Sequence, residues 1–250
     1  MTAAPPIRNN SRMGQARPDI ACEGPLRDAI LPLLERFPSG SAFQSGVIDV
    51  LRRLGDGAGT ADAAARALET ESDVVLWRED LGGRDVTVSV LYLAPGEVHP
   101  PHHHHNVTSV QIVLDGEVHG REYDRVRRLD EETVLLRPLF DGLLPPGSLL
   151  LAQEWARNAH WFAAGRAGPA LIWNCNARGF EDRTFDPSDG RPLGRRLLHP
   201  SETAYEGGIS AREIGVEEAY RTFGAVSPAD WPLPVMPLET GGPNIVETID

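Results

Sequence analysis

The chain has 250 residues, 41% hydrophobic and 24% charged, and its 24 basic against 36 acidic side chains give a net charge of −12. A surface of that sign repels phosphate backbones and anionic lipid, so neither nucleic acid nor a membrane is expected as a partner. Two cysteines, Cys22 and Cys175, are too few for a disulfide framework or a cysteine-rich zinc module, and with no apolar signal segment at the N-terminus the expected setting is reducing and cytoplasmic.

Residues 1–24 are polar and broken by Pro and Gly, and read as a flexible arm. Residues 25–70 carry helical spacing. Leu26 to Phe37 puts Ile30, Leu33 and Leu34 on one side, with Pro32 a candidate break, and Val47 to Leu54 and Ala61 to Glu69 predict two further short helices. From about residue 73 the period changes to two. Asp85 to Leu93 (DVTVSVLYL) sets Val86, Val88, Val90 and Tyr92 on one face. Further strands are expected at 73–77, 109–114, 117–124, 132–137, 148–152, 158–163 and 170–175, separated by turn signals such as Pro95-Gly96, Asp115-Gly116 and Pro146-Gly147. Short strands at this spacing over residues 71–185 predict a mainly β, jelly-roll barrel, the double-stranded β-helix. Residues 186–250 are rich in Pro and Gly, with one helical stretch near Val216 to Phe223. They form a C-terminal extension expected to lid the barrel or to build an oligomer contact, with a monomer and a homodimer both open.

Within this pattern PGEVHPPHHHHNVTSV (Pro95 to Val110) holds five histidines in seven positions. Its mid-chain place after a strong strand, and the interruption by Pro100 and Pro101, argue against a tag remnant. On an extended strand His102 and His104 share one face and His103 and His105 the other. Either pair supplies only part of a metal site, and the remaining ligands must come from elsewhere.

The surroundings resemble the first cupin motif, a Gly, five residues, His-x-His and a closing Gly, here Gly96, His102, His104 and Gly116. The resemblance selects His102 and His104, and implies the cupin form of the jelly roll with N-terminal helices. The Glu that usually follows would fall near Ser109, and no carboxylate lies between His104 and Asp115. A second motif, Pro146-Gly147 and then Asn158-Ala159-His160, implies His160 as third ligand. From about Asp73 to Phe162 the chain is similar to thiol dioxygenases of the plant cysteine oxidase and cysteamine dioxygenase type, through APGEVHPPHHH, Thr108, Gly116-Glu117-Val118-His119, Tyr123-Asp124 and Asn158-Ala159-His160. That likeness implies a mononuclear Fe(II) site of three histidines which binds a small thiol and then O2, giving a sulfinate. The Asp that this family carries on the next strand is replaced by Asn174 or Trp173, and Asn cannot neutralise a substrate ammonium.

The candidate catalytic residues are Tyr123 and Asn174, with a rim-facing core role equally open to Tyr123. Arg121 is a candidate reader of a substrate carboxylate. His99, His103 and His105 read as loop residues, His103 with a possible orienting role, and Trp155, Trp161 and Trp173 as core packing or pocket walls. Other readings stay open: a three-His cupin dioxygenase that cleaves a C–C bond of an enolisable or aromatic substrate, a non-redox metal cupin acting as isomerase, cyclase or lyase, and a non-catalytic sensor.

Overall fold

The computed structural model describes residues 23–36, 40–82, 84–179, 194–232 and 244–245. The expected N-terminal arm, up to residue 22, lies outside the described residues. Eight strands carry the jelly roll. β2 (Asp85–Leu93), β4 (Val107–Asp115), β7 (Ser148–Ala152) and β9 (Ala170–Arg178) pair in the order β2-β9-β4-β7. β3 (Val98–His105), β5 (Val118–Arg128), β6 (Thr133–Leu144) and β8 (Ala159–Ala164) pair as β3-β8-β5-β6. All pairings are antiparallel. Two four-stranded sheets with this alternation of chain order are two Greek keys laid face to face, the jelly roll expected from the sequence. At one end Leu91, Val113 and Ile172 of the first sheet pack on Val118, Leu144 and Phe162 of the second.

The alternation on β2 has an unexpected polarity. Val86, Val88 and Val90 face outward, with Trp173, Cys175, Val110 and Ile112 beside them. Three helices cover that face: α1 (Glu23–Arg36), α2 (Gly40–Leu54) and α3 (Thr60–Thr70), all contributing to the same apolar cluster. Buried Gln44 of α2 fastens this layer, its amide donating to the carbonyls of Ser109 (2.9 Å) and Ala152 (3.0 Å) on neighbouring strands. An extra strand, β1 (Val74–Asp80), extends the sheet beside β2. The polar members of the pattern therefore point into the barrel rather than to water. Ser89, Asn174 and Gln111 form one cross-strand rung and Thr87, Asn176 and Ser109 the next.

Turns set the strand spacing. Gly116 joins β4 to β5 at φ 82°, and a Cβ there would sit 2.3 Å from the carbonyl oxygen of Pro169, so only glycine fits. The closing glycine of the sequence motif is thus fixed by backbone packing as well as by chirality.

The tail departs from expectation. The helix α4 (Val216–Phe223) is present, but it is preceded by a hairpin of β10 (Gly194–Tyr205) and β11 (Gly208–Ile214) that patterning does not reveal. β10 pairs with β3 and β11 with β6, closing β3-β8-β5-β6 into a six-stranded barrel of its own. Its interior holds Tyr123, Val134, Leu136, Ala159, Leu198, Ile209 and Ala211. Phe223 at the end of α4 and Trp231 beyond it stack edge-on with Trp161. A last short strand, β12 (Asn244–Ile245), pairs with β7. No helix among the described residues is long and apolar enough to cross a membrane.

Arg121 ties this tail to the barrel. Its guanidinium is 2% exposed, donates to Asp141 (2.8 Å) and to the carbonyl oxygens of Pro228 (2.8 Å) and Trp231 (3.2 Å), and lies 5.7 Å from the Trp161 ring. Asp141 also accepts from His119. The expectation that Arg121 reads substrate is corrected: its donors are turned to the tail, because β5 presents it on the face away from the jelly-roll interior. Replacing it with methionine leaves Asp141 with His119 alone and two carbonyls without this donor, and is expected to lower stability by about 3 kcal/mol, read by thermal denaturation.

Candidate metal centre

β3 and β8 bring the histidines together. His102 and His160 are directly paired across the two strands, and His104 lies two residues along on the same face. The Nε2 of His160 lies 2.8 Å from Nε2 of His102 and 3.1 Å from Nε2 of His104, and the donor atoms of all three lie within 4.8 Å of one another. The rings stand steeply to each other, at 72° to 89°. All three side chains are nearly fully buried.

Local backbone sets this geometry. Pro100 and Pro101 cannot donate to the ladder, and the β3–β8 register slips at that point, as proline requires inside a sheet. The slip lets the carbonyl of Pro100 accept from Nδ1 of His102 at 2.8 Å. A carbonyl only accepts, so the proton sits on Nδ1 and the Nε2 lone pair points into the site. His104 is clamped by Asn158: its N–H donates to the Asn158 carbonyl (3.1 Å) and its carbonyl accepts from Asn158 Nδ2 (3.0 Å). Asn158 immediately precedes β8, two residues before His160, which explains the spacing of the second motif.

Burial, first of all, drives the imidazoles toward the neutral form. His160 falls to about 3, helped by the charge of Arg195, and His102 and His104 fall well below the ordinary value for the same reason and from their mutual repulsion. Neutral imidazoles with converging lone pairs are what a metal ion needs. Metal–nitrogen bonds of roughly 2.1 Å at right angles separate their donors by about 3 Å, and the two close contacts fit that spacing. No carboxylate joins the trio among the described residues. Glu122, in register with His160 on the next strand, is instead paired with Arg157, although burial raises it to about 7.

The trio opens on a cavity of about 590 Å³ between the sheets, lined by His99, His102 and His104 on one wall and by Gln111, Asn174 and Asn176 on the other. Of the expected catalytic pair, Asn174 lines this cavity; it accepts from Gln111 Nε2 (3.1 Å) and donates to Ser89 Oγ (3.3 Å). Trp173 faces the helices instead. Tyr123 does not reach the cavity. It is in register with Ala159, so its ring enters the six-stranded barrel, where burial pushes its hydroxyl up to about 12 against the pull of Arg121. Of the two roles open to Tyr123, the pocket-facing one is corrected to a core one, because the second barrel gives that face of β5 an interior of its own. Trp161 packs against the tail and Trp155 is 53% exposed.

His99 was expected in a loop. The slip at the two prolines puts it on the same face as His102, stacked 4.6 Å over Phe162 and at the cavity wall, with burial foremost lowering it to about 3. A Pro-Pro pair inside a strand is the signal for such a bulge. His103 faces the other way. Its Nδ1 accepts from Arg125 (2.8 Å), so its Nε2 donates to Glu213 (3.0 Å). Arg128 and Arg196 also meet Glu213, and Arg125 pairs with buried Glu154.

The sequence matches no protein-family model and no curated protein. Solved structures with similar folds include a cupin superfamily protein from Desulfitobacterium hafniense, at 19% identity over 41% of this chain and 72% of that one (TM-score 0.29). An oxalate oxidase in complex with glycolate is 15% identical over 45% of this chain (TM-score 0.29), and peruvianin-I, a cysteine peptidase of Thevetia peruviana latex, 16% over 40% (TM-score 0.27). The chain spans 53% of the length of each of these last two. Likeness at this level says nothing of activity.

His160→Ala is expected to abolish metal binding in an elemental analysis. His103→Ala keeps the stoichiometry and loses about 1–3 kcal/mol, because Arg125 and Glu213 lose their shared partner. Glu213 offers a pH signature. Burial alone would raise it, but His103 and then Arg128 bring it from 4.5 down to about 2. A carboxylate depressed in the fold stabilises above its unfolded value and loses that contribution as pH falls toward the folded one. The difference in melting temperature between the native chain and Glu213→Gln should therefore be largest above pH 4.5 and shrink toward pH 2.

Proposed function

We propose that the chain is a metal-dependent cupin enzyme, specifically a three-histidine Fe(II) dioxygenase that converts a small thiol to its sulfinate, RSH + O2 → RSO2H. The observation that carries this reading is the convergence of three neutral imidazole nitrogens with no carboxylate among them. A neutral ligand set leaves the ion's full positive charge to be met by substrate, which favours an anionic donor such as a thiolate over water. The similarity of APGEVHPPHHH and Asn158-Ala159-His160 to thiol dioxygenases points the same way. A bound iron supplies the electron path between thiolate and O2 and the charge that favours the deprotonated thiol.

The residues around it have definable parts. Pro100 and Asn158 fix the orientation of His102 and His104, so the donors are set before the ion arrives. Phe162 and Leu91 exclude water from the inner end of the cavity. The Ser89–Asn174–Gln111 rung offers polar contacts to substrate from the wall opposite the histidines. That wall, with an amide where the thiol dioxygenases carry Asp, also favours a second reading, oxidative C–C cleavage of an enolisable carbon acid.

Oxygen uptake by anaerobically iron-loaded protein tests both readings. With a thiol substrate, one O2 is expected per thiol, and with labelled O2 both oxygen atoms appear in the sulfinate by mass spectrometry. Uptake with diketones and not with thiols would select the C–C reading. No uptake with either panel, and zinc retained through purification, would exclude both.

A further inference from the structure

Consecutive arginines on β10 face opposite ways. Arg196 is in register with His103 and joins the ion pairs around Glu213, at 3.6 Å. Arg195 is in register with His104, so it shares the face of the metal trio and lines the cavity beside His99, His102 and His104. Its side chain is exposed, and no acidic group pairs with it among the described residues. The other charged groups of the lining are already engaged: Arg178 with Asp85 at 2.8 Å, Asp73 with the Tyr92 N–H at 2.9 Å, and Arg78 in a polar interaction of its own. Across the cavity, Oε1 of Gln111 and Oδ1 of Asn176 are buried acceptors with no partner among the described residues. Gln111 is 6% exposed, and a buried acceptor left without a donor is destabilising.

We propose that Arg195 is the specificity-determining residue of this site, pairing with the carboxylate of a small substrate whose second donor atom reaches the three histidines. Gln111 and Asn176 then accept from a hydroxyl or amino group of the same molecule. The inference rests on the three-histidine reading and narrows its substrate class to small acids that also carry an N–H or O–H donor. Guanidinium suits the task because its planar fork meets a carboxylate with two parallel hydrogen bonds. A cavity of about 590 Å³ holds a metabolite-sized molecule.

Two thiols that differ in the relevant group serve as probes: 3-mercaptopropanoate and its uncharged methyl ester, neither of which carries a hydroxyl or amino donor. Their dissociation constants are measured by calorimetry on iron-loaded protein without O2, with the metal counted in each sample. The native chain is expected to bind the acid at least tenfold more tightly, as a charge-assisted contact implies. Arg195→Gln should bring the two constants within about twofold while leaving that of the ester unchanged, and Arg195→Lys should restore part of the preference. A merely structural role would weaken both probes equally. No preference in the native chain, or a preference that survives in Arg195→Gln, overturns the proposal while leaving the metal reading intact. Loss of metal from the native chain overturns the metal reading instead. The role of Arg195 is then decided by its side-chain Nε–H resonance, identified by its disappearance in Arg195→Gln. A shift on adding propanoate to metal-free protein supports the proposal, and no shift overturns it.

Discussion

Three imidazole nitrogens in a buried site, two of them held about 3 Å from the third, cannot satisfy one another. One proton shared with His160 meets at most one of the two contacts, and Nδ1 of His102 is already bound to a carbonyl, so its Nε2 has only a lone pair to offer. Lone pairs that converge in low dielectric repel, and the arrangement persists because the backbone holds it. The slip at Pro100 and Pro101, the Asn158 clamp and the direct pairing of His102 with His160 leave the rings little freedom. A cation at the focus turns that repulsion into attraction. The rest of the jelly roll keeps these two strands in register and keeps water out.

Strand β3 serves two interiors at once. His102 and His104 face the jelly-roll cavity, while His103 enters the barrel that the β10–β11 hairpin closes. An outward face of a jelly-roll sheet would ordinarily be solvated, and His103 there would titrate near its usual value. The hairpin buries it, fixes its tautomer between Arg125 and Glu213, and lowers it to about 4, with burial the largest cause. The same hairpin brings Arg195 to the cavity. One addition to the sheet thus supplies both the rigid back of the metal strand and a cation at its mouth.

The legible parts of the fold were those with a local signal. Asp85–Leu93 and Ser148–Ala152 are strands with the expected bounds, and Val216–Phe223 is the expected helix. Period-two patterning and the Gly turns were sufficient because each strand's alternation is imposed by a buried face. The motif spacing brought His102, His104 and His160 into view, and these are the side chains that the structure gathers. Three things were hidden. β10 and β11 carry Arg195-Arg196, Pro200-Ser201-Glu202 and Glu206-Gly207, polar because the hairpin's outer parts are exposed, and so resemble a tail. The facing of Tyr123 depends on a barrel that only distant pairing creates. The proline bulge turned His99 inward by breaking the period that strand reasoning relies on.

The polarity of β2 carries the remaining lesson. Valines alternating with Thr87 and Ser89 read as a core face and a wet face, and the wet face is in fact the inside of the barrel. The helices, stapled by Gln44, cover the valines, so the polar set is free to line a cavity without loss of core. This division lets an acidic chain keep a site of the opposite sign. Asp85 and Asp73 are engaged by Arg178 and by backbone, the trio is neutral until it binds a cation, and the guanidinium of Arg195 meets no acid on that wall among the described residues. With a divalent ion in place, the low-dielectric walls concentrate that positive field toward the opening. Anions are then drawn past a surface that repels them elsewhere, and the charge on the chain works as a filter for what the site admits.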